Sequence, residues 1–299
     1  MFQHVRTVLT KISLRCRINS VTVYAKICYN HPIMAHRLHI YWFSGSGNTL
    51  RLAETFAEHL RQQNWAVELR PLEHSDPQTI DPESTLGLAF PTHCFTIPAN
   101  VLAFVRSLPH VENTEAIMLG THGGFSGGVV GPLKRKLTAK GFRCTAARII
   151  AMPDSFFPFT SDETNRRKIE QRLNYAKNYA DDFATGKASW TRWAILCDIY
   201  AALFSGLFAI RKGMPNHYYS TIHAQAEQCK RCGSCVQCCP VNALERNADM
   251  PPKPKRNCTN CLRCVAVCPA DAMRHLIGFR PYRSEEASVL QQRFKTETH

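Results

Sequence analysis

Acidic residues are absent from the first part of the chain, where none precedes Glu54. Basic residues do lie before it, among them Arg6, Lys11, Arg15, Arg17, Lys26 and Arg37. Residues 1–36 also lack the long apolar run of a secretory signal, which argues against such a leader. The segment is basic like a transit peptide, but Met34 stands just ahead of an apolar stretch. We therefore expect residues 1–36 to be a basic extension that is disordered or foreign to the native chain, with Met34 as the natural start.

Signatures of several enzyme classes are missing as well. The 13 histidines form no H-x3-H pair, and no paired carboxylates, nucleophile with a base or NAD(P)-binding domain is recognisable. The formal net charge is +14, but six of the cations lie within the first 37 residues. The charge therefore does not indicate a nucleic-acid partner, and we expect none.

Long hydrophobic runs are also scarce. The longest, residues 194–210, has about 17 residues and is at the lower limit for crossing a bilayer. Asp198 lies within it, and a charged residue there argues against a membrane span. We expect a packed or interfacial linker helix, with peripheral membrane contact through 194–210 and a true span as the alternatives.

Short apolar runs and helix-like stretches alternate from Leu38 onwards, which is typical of βα units. Strands are predicted at 40–43, 65–69, 85–90, 116–119 and 147–152. Leu52, Phe56 and Leu60 are expected to face inward from the first helix. A capping box of Thr160 and Glu163 predicts a last helix that ends at Gly186. These patterns predict an α/β domain over residues 37–186, with a doubly wound parallel sheet.

Cysteine is abundant, and the spacing is that of metal ligands. The motif C-x2-C-x2-C-x3-C-P is formed by Cys229, Cys232, Cys235 and Cys239-Pro240. The same motif occurs again 29 residues later, at Cys258, Cys261, Cys264 and Cys268-Pro269. Such a duplication indicates an internal repeat. Zinc is the competing metal, but zinc motifs pair two C-x2-C hairpins across a longer spacer. The proline after each fourth cysteine suits the first turn of a helix, so we expect a helix to start there.

The cysteine motifs resemble those of bacterial two-cluster ferredoxins over residues 222–278. In that family the fourth cysteine ligates the other cluster. The resemblance therefore implies two [4Fe-4S] clusters with crossed ligands: Cys229, Cys232, Cys235 and Cys268 for one, and Cys258, Cys261, Cys264 and Cys239 for the other. Cys238 is expected to be a non-ligand, because the proline register favours Cys239. Cys16, Cys28, Cys94, Cys144 and Cys197 share no ligand spacing.

A hydroxyl-rich turn follows the first predicted strand and consists of Ser44, Gly45, Ser46, Gly47, Asn48 and Thr49. Its backbone N–H groups and hydroxyls are placed to hold a phosphate at the N-terminus of a helix. The turn is neither G-x-G-x-x-G nor a Walker A loop, because no lysine follows the second glycine.

This turn resembles the phosphate loop of flavodoxins, and the resemblance extends over residues 37–155. It implies a flavodoxin-like fold that binds FMN, with the isoalloxazine ring held by two later loops. Those loops are Pro91, Thr92, His93, Cys94 and Phe95, and Thr121, His122, Gly123 and Gly124. Phe95 is the one aromatic residue in them.

The order of these parts resembles that of fused flavodoxin-ferredoxin electron carriers. The parts are a flavodoxin-like domain (37–186), a linker with an apolar helix (187–221), a two-cluster ferredoxin domain (222–278) and a tail (279–299). The resemblance implies an electron-transfer protein that links one- and two-electron redox partner proteins through FMN and the clusters. An FMN-dependent reductase fed by its own ferredoxin domain and an iron-sulfur sensing or activating partner are the alternatives. A cytoplasmic location is expected, since reduced thiols suit a reducing compartment.

Overall fold

The computed structural model describes residues 36–93, 95–124, 126, 128–156, 160–190, 221–245, 250–275 and 290. All of them belong to one compact unit, residues 36–299, which is separate from residues 1–35. The linker helix predicted at 194–210 and almost all of the basic extension and the tail lie outside the described residues. Among the described helices, none is both long and apolar enough to cross a membrane.

A parallel sheet of five strands forms the centre of the first domain. The strands are β1 (Arg37–Trp42), β2 (Ala66–Pro71), β3 (Thr85–Pro91), β4 (Glu115–His122) and β5 (Arg143–Ala151). Their spatial order is β2-β1-β3-β4-β5, and every pairing is parallel. This order is that of the flavodoxin-like doubly wound fold, so the predicted fold class and all five predicted strands are confirmed.

Helices cover both faces of this sheet. They are α1 (Asn48–Arg61), α2 (Ala99–Ser107), α3 (Val130–Thr138) and α4 (Asp162–Ala184). Side chains of β1 alternate between two buried clusters, with Ile40 packed among α1 and α4 and Tyr41 packed among α2 and α3. The alternation arises because successive strand side chains point to opposite faces. The three residues predicted to face inward from α1 are all buried.

The start of α4 differs from the prediction by one residue. Its N-cap is Ser161, whose side chain accepts a hydrogen bond from the backbone N–H of Thr164. Thr160 instead donates its hydroxyl to the side-chain oxygen of Asn165 at 2.5 Å. Two adjacent hydroxyl residues compete for the cap, and the extended backbone of Ser161 is the one that fits an N-cap.

The cysteine-rich part contains β6 (Ile222–Ala224), α5 (Ser234–Gln237), α6 (Arg263–Ala266) and β7 (Met273–His275). β6 and β7 pair antiparallel. The 29-residue repeat extends to the backbone, because the same positions of both halves have positive φ: Arg231 and Asn260, Gly233 and Leu262, Asn242 and Asp271.

Contrary to prediction, no helix starts at the fourth cysteine of either repeat. α5 begins at Ser234, directly after Gly233, and Cys239 follows the end of that helix. The next residue, Pro240, lies in a turn. A proline just after a helix is common because it cannot continue the helix, and this is its place here rather than in a first turn.

Candidate redox cofactor sites

The eight motif cysteines line two cavities, each with four thiols. The first cavity is lined by Cys229, Cys232, Cys235 and Cys268, and the second by Cys239, Cys258, Cys261 and Cys264. Each cavity therefore takes three cysteines from one repeat and the fourth from the other. Four thiols around one cavity are the donor set of a [4Fe-4S] cluster, so the residues present fit the group that the sequence implies.

The two cavities share local geometry at the fourth cysteine. The backbone N–H of Ala243 donates to Sγ of Cys239 at 3.1 Å, and that of Ala272 donates to Sγ of Cys268 at 3.2 Å. Amide hydrogen bonds of this kind to ligand sulfurs are one of the means by which proteins adjust cluster potentials.

Burial opposes the ionisation of two of the cavity thiols, Cys235 and Cys261. Burial, with the nearby thiol of Cys268, raises the pKa of Cys235 to about 11. Burial also raises the pKa of Cys261 to about 11, although the charge of Arg263 opposes the rise. A coordinated cation reverses this preference and deprotonates a thiol outright, so ionisation of these groups is expected to accompany metal binding.

Cys238 lines neither cavity. Its thiol is buried and donates to the carbonyl oxygen of Cys235 at 3.5 Å. The equivalent position of the second repeat is Val267, and both side chains pack into the buried cluster that includes α1 and α4. Cys238 therefore occupies the place of an apolar core residue.

The hydroxyl-rich turn lies between β1 and α1, as predicted. Gly47 is the N-cap of α1 with φ 100°, a conformation that favours glycine, and no side chain caps the helix. The first turn of α1 contains no acidic residue. Its leading N–H groups have no partners within the helix, so this buried end favours an anion such as phosphate.

The side chains of this turn tie it to neighbouring loops. Ser46 shares a hydrogen bond of 2.5 Å with Ser155, and the Asn48 amide donates to the carbonyl of Pro153 at 3.1 Å. Thr49 and Thr121 share a hydrogen bond of 2.8 Å between hydroxyls. Thr49 and Thr121 were assigned to separate loops in the sequence, and the structure brings them together.

The first expected ring loop follows β3 at the carboxyl edge of the sheet. The N–H of Thr92 donates to the carbonyl of Thr121 at 2.7 Å, so the two ring loops are neighbours. His93 and Thr96 exchange two backbone hydrogen bonds, and Phe95 at the turn has φ 63°. Removal from water lowers the pKa of His93 to about 4, which keeps it neutral at pH 7. Cys94 lies outside the described residues.

The second expected ring loop begins within β4, whose last two residues are Thr121 and His122, and continues into Gly123 and Gly124. Burial lowers the pKa of His122. A Cβ at Gly123 would lie 2.5 Å from a carboxylate oxygen of Asp154, so a side chain there would force Asp154 to move. Gly124 is exposed with open space around it. Both ring loops therefore lie at the same sheet edge as the turn at 44–49, the place where open α/β sheets bind ligands.

Sequence reasoning missed the residues that join this edge to the cysteine-rich part. Arg263 is fully buried and donates from Nε to the carbonyl of Ser44 at 2.9 Å. It also forms an ion pair with Glu73, whose side chain is 6% exposed. Phe156, which follows β5, stacks on His275 with ring centroids 4.7 Å apart. One signal was available: Arg263 stands between two motif cysteines, where the first repeat has Ser234.

Comparisons with known proteins agree with the cysteine geometry. A family model described as a 4Fe-4S dicluster domain matches residues 221–269. The comparison with curated proteins gave no match.

Several solved structures align with about half of the chain. A flavodoxin from Streptococcus pneumoniae TIGR4 is 18% identical with a TM-score of 0.38, over 50% of this chain and 98% of its own. The flavodoxin of Megasphaera elsdenii is 16% identical with a TM-score of 0.35, over 48% and 98%. Rubredoxin oxygen:oxidoreductase from Desulfovibrio gigas is 18% identical with a TM-score of 0.36, over 51% of this chain but only 37% of its own. The strand order assigns a flavodoxin-like fold to the first domain, and the matching family model identifies the second as a 4Fe-4S dicluster domain. The chain therefore joins a flavodoxin-like domain to a 4Fe-4S dicluster domain.

Proposed function

We propose that the chain is an electron-transfer protein that holds two [4Fe-4S] clusters and one FMN. The observation that carries the proposal is the position of the second cavity. A Cβ added to Gly45 of the phosphate turn would lie 2.0 Å from the carbonyl oxygen of Cys261, so the two candidate cofactor sites share a backbone contact. When bound, the clusters exchange one electron each and FMN one or two, which links partners of different stoichiometry.

The chain's own residues then have separate tasks. The crossed sets of four cysteines hold the clusters, and the N-terminus of α1 with its serine and threonine hydroxyls holds the FMN phosphate. The loops after β3 and β4 border the ring. Contact between Gly45 and Cys261 keeps the second cavity beside the phosphate turn.

Partner proteins are proposed to meet the chain at the first cavity. Cys232 is exposed there, whereas Cys261 packs against the core of the flavodoxin-like domain. Lys230 and Arg231 line the same cavity and are both exposed. A cationic rim of this kind attracts an acidic partner surface.

Anaerobic purification followed by iron, sulfide and flavin quantification tests the proposal. About eight irons and one FMN per chain are expected if both cavities hold [4Fe-4S] clusters. About four irons would show that one cavity does not hold a cluster. Full iron without retained or added flavin bound would refute the FMN part of the proposal, and the cluster part would stand.

A second candidate, an FMN-dependent reductase, is favoured by one observation. Within the described residues, the buried Nδ1 of His122 has no hydrogen-bond partner, and it lies next to the exposed Gly124. Because burial lowers the pKa of His122, its imidazole is neutral at pH 7 and suits proton exchange with a small substrate. Substrate-dependent reoxidation of the reduced protein that is lost in His122→Ala, with its flavin content unchanged, would favour the reductase.

A further inference from the structure

Arg263 is the one charged residue in the second cysteine motif, residues 258–269. It lies where the cysteine-rich part contacts the flavodoxin-like domain. It is the first residue of α6, directly before Cys264 of the second cavity, and none of its surface is exposed. Burying a guanidinium is unfavourable unless its charge and N–H groups are matched. Its partners therefore indicate what the residue does.

The partners of Arg263 come from three segments of the chain. Nε donates to the carbonyl of Ser44 at 2.9 Å, and Nη1 donates to the carbonyl of Cys238 at 3.2 Å. Nη1 also pairs with the carboxylate of Glu73. The guanidinium lies over the ring of Phe43, 5.3 Å from its centroid. Phe43 and Ser44 directly precede and begin the phosphate turn, so Arg263 holds the backbone from which that turn departs.

Gly45, the next residue of the phosphate turn, is also in contact with the cysteine-rich part. The approach of the Cys261 carbonyl to Gly45 leaves no space for a side chain. Cys261 and Arg263 belong to the ligand loop, residues 261–264, which runs into the start of α6 and supplies two thiols to the second cavity. The phosphate turn and this ligand loop are therefore packed as one unit, and neither is able to change its path alone.

The matching position of the first repeat has a different side chain. Ser234 occupies the place of Arg263, and its hydroxyl lies 3.5 Å from Sγ of Cys232, within the same repeat. Cys229 and Cys258 also match, and both are partly buried. The two equivalent ligand loops therefore allow a matched comparison, and the loop of the second repeat is the one with the contacts to Ser44 and Gly45 described above.

We propose that Arg263 couples the two cofactor sites, so that a cluster in the second cavity tightens FMN binding and bound FMN stabilises that cluster. The inference rests on the proposed function. Thiolate–iron bonds order a ligand loop, and the ordered loop presents Arg263 and the Cys261 carbonyl to the turn at 43–45. Coupling between two sites is reciprocal by linkage, and typical couplings change an affinity by about 5- to 150-fold.

FMN dissociation constants of matched variants test the coupling. Each protein is depleted of flavin, reconstituted with iron and sulfide under anaerobic conditions, and titrated with FMN while flavin fluorescence is followed. Cys258→Ser, which removes a second-cavity ligand, is expected to weaken FMN binding about tenfold. Cys229→Ser, the equivalent change at the first cavity, is expected to leave the dissociation constant within about twofold of the parent protein's. Equal dissociation constants in the two variants would overturn the coupling.

Replacing Arg263 tests the residue itself. Arg263→Met is combined with Glu73→Gln, so that no buried carboxylate is left without its partner. The double variant is expected to bind FMN equally well with and without iron and sulfide. In Arg263→Lys, iron and sulfide are expected still to tighten FMN binding, but less than in the parent protein. Arg148→Met is the control, because Arg148 likewise lies over an aromatic ring, that of Tyr179, and pairs with a carboxylate, that of Asp182, but is half exposed. If iron and sulfide tightened FMN binding as much in the double variant as in the parent protein, the proposal would also be overturned.

The reciprocal measurement gives a second readout. Iron release to a chelator is followed in Cys229→Ser, which retains only the second cluster, with and without FMN. FMN is expected to slow release several-fold, and an unchanged rate would contradict the coupling. FMN binding that is absent from every form would refute the proposed function and the coupling together. FMN binding with equal affinity in all forms would refute the coupling alone.

Discussion

The two cysteine repeats have the same ligand spacing and the same backbone conformation at three positions, yet they lie in different surroundings. The first cavity has an exposed cysteine, Cys232, and cationic neighbours. The second contacts the phosphate turn through Cys261 and Arg263. A duplication therefore produced two equivalent ligand sets. The residues between the ligands differ, and they place the first cavity toward solvent and the second toward the flavodoxin-like domain.

Leu262 illustrates the difference at one backbone position. Both repeats have a left-handed residue before their short helix, with φ 81° at Gly233 and 64° at Leu262. A non-glycine residue in this region costs about 1–2 kcal/mol. The side chain of Leu262 is buried in the core of the cysteine-rich part, and this burial offsets the strain.

The largest expected effect concerns the crossing of the ligands between the repeats. Cys229→Ser combined with Cys268→Ser changes two thiols of the first cavity, so about half of the iron should remain. Cys229→Ser combined with Cys239→Ser changes one thiol of each cavity, so nearly all iron should be lost. Iron and acid-labile sulfide per chain are the measurements. If the first pair lost all iron and the second pair only half, the ligands would be uncrossed.

The second prediction compares the matching positions 234 and 263. Arg263→Met leaves the Glu73 carboxylate buried without its partner, and we expect it to lower the free energy of unfolding by about 3–5 kcal/mol. Ser234→Ala removes the hydroxyl that lies 3.5 Å from Sγ of Cys232 and should cost about 1 kcal/mol or less. Urea unfolding of the reconstituted proteins, followed by far-UV circular dichroism, measures both. Similar losses in the two variants would show that the domain contact adds little to stability.

The third prediction tests the close approach at the phosphate turn. Gly45→Ala places a Cβ against the Cys261 carbonyl, and the backbone shift should cost about 2–3 kcal/mol. Gly124→Ala is the control for stability, because a Cβ there meets nothing within 4 Å. Thermal unfolding of both variants checks the difference, and a Gly45→Ala protein as stable as the control would refute the contact.

The fourth prediction tests the solvent-facing cavity. Lys230→Glu with Arg231→Glu should slow association with a strongly acidic plant-type [2Fe-2S] ferredoxin about tenfold at low ionic strength. Lys168→Glu with Lys177→Glu changes the net charge equally on the exposed face of α4. Association rates from stopped-flow mixing at several salt concentrations are compared. Equal slowing by both pairs would mean that net charge, rather than the cavity rim, attracts the partner.

The smallest effect concerns pH and the second contact between the domains, where His275 stacks on Phe156. Burial, together with nearby His223, lowers the pKa of His275 below its usual 6.5. Below about pH 6.5 the unfolded chain therefore binds more protons than the folded one, and the free energy of unfolding should fall as the pH falls. His275→Phe keeps the stacked rings and should reduce this dependence. Unfolding midpoints from pH 8 to pH 5 test it, and identical profiles for both proteins would contradict it.

Local sequence patterns were sufficient for much of the fold. The alternation in β1 and the spacing of Leu52, Phe56 and Leu60 predicted their buried faces, because helix and strand periods depend on backbone geometry alone. Finer boundaries were less secure. Thr160 and Ser161 are adjacent hydroxyl residues that were both able to cap α4, and only the structure showed that the N–H of Thr164 donates to Ser161.

The repeated cysteines by themselves determined that this chain has two sets of thiol ligands, since three of every four ligands lie within seven residues of one another. The turn at 44–49 likewise predicted an anion site from a strand, two glycines and a helix. Which ligand loop faces that turn was decided only by the tertiary structure. The ion pair of Arg263 with Glu73 joins residues 190 positions apart, and no local pattern specifies such a pairing, because it depends on how two separately patterned domains pack together.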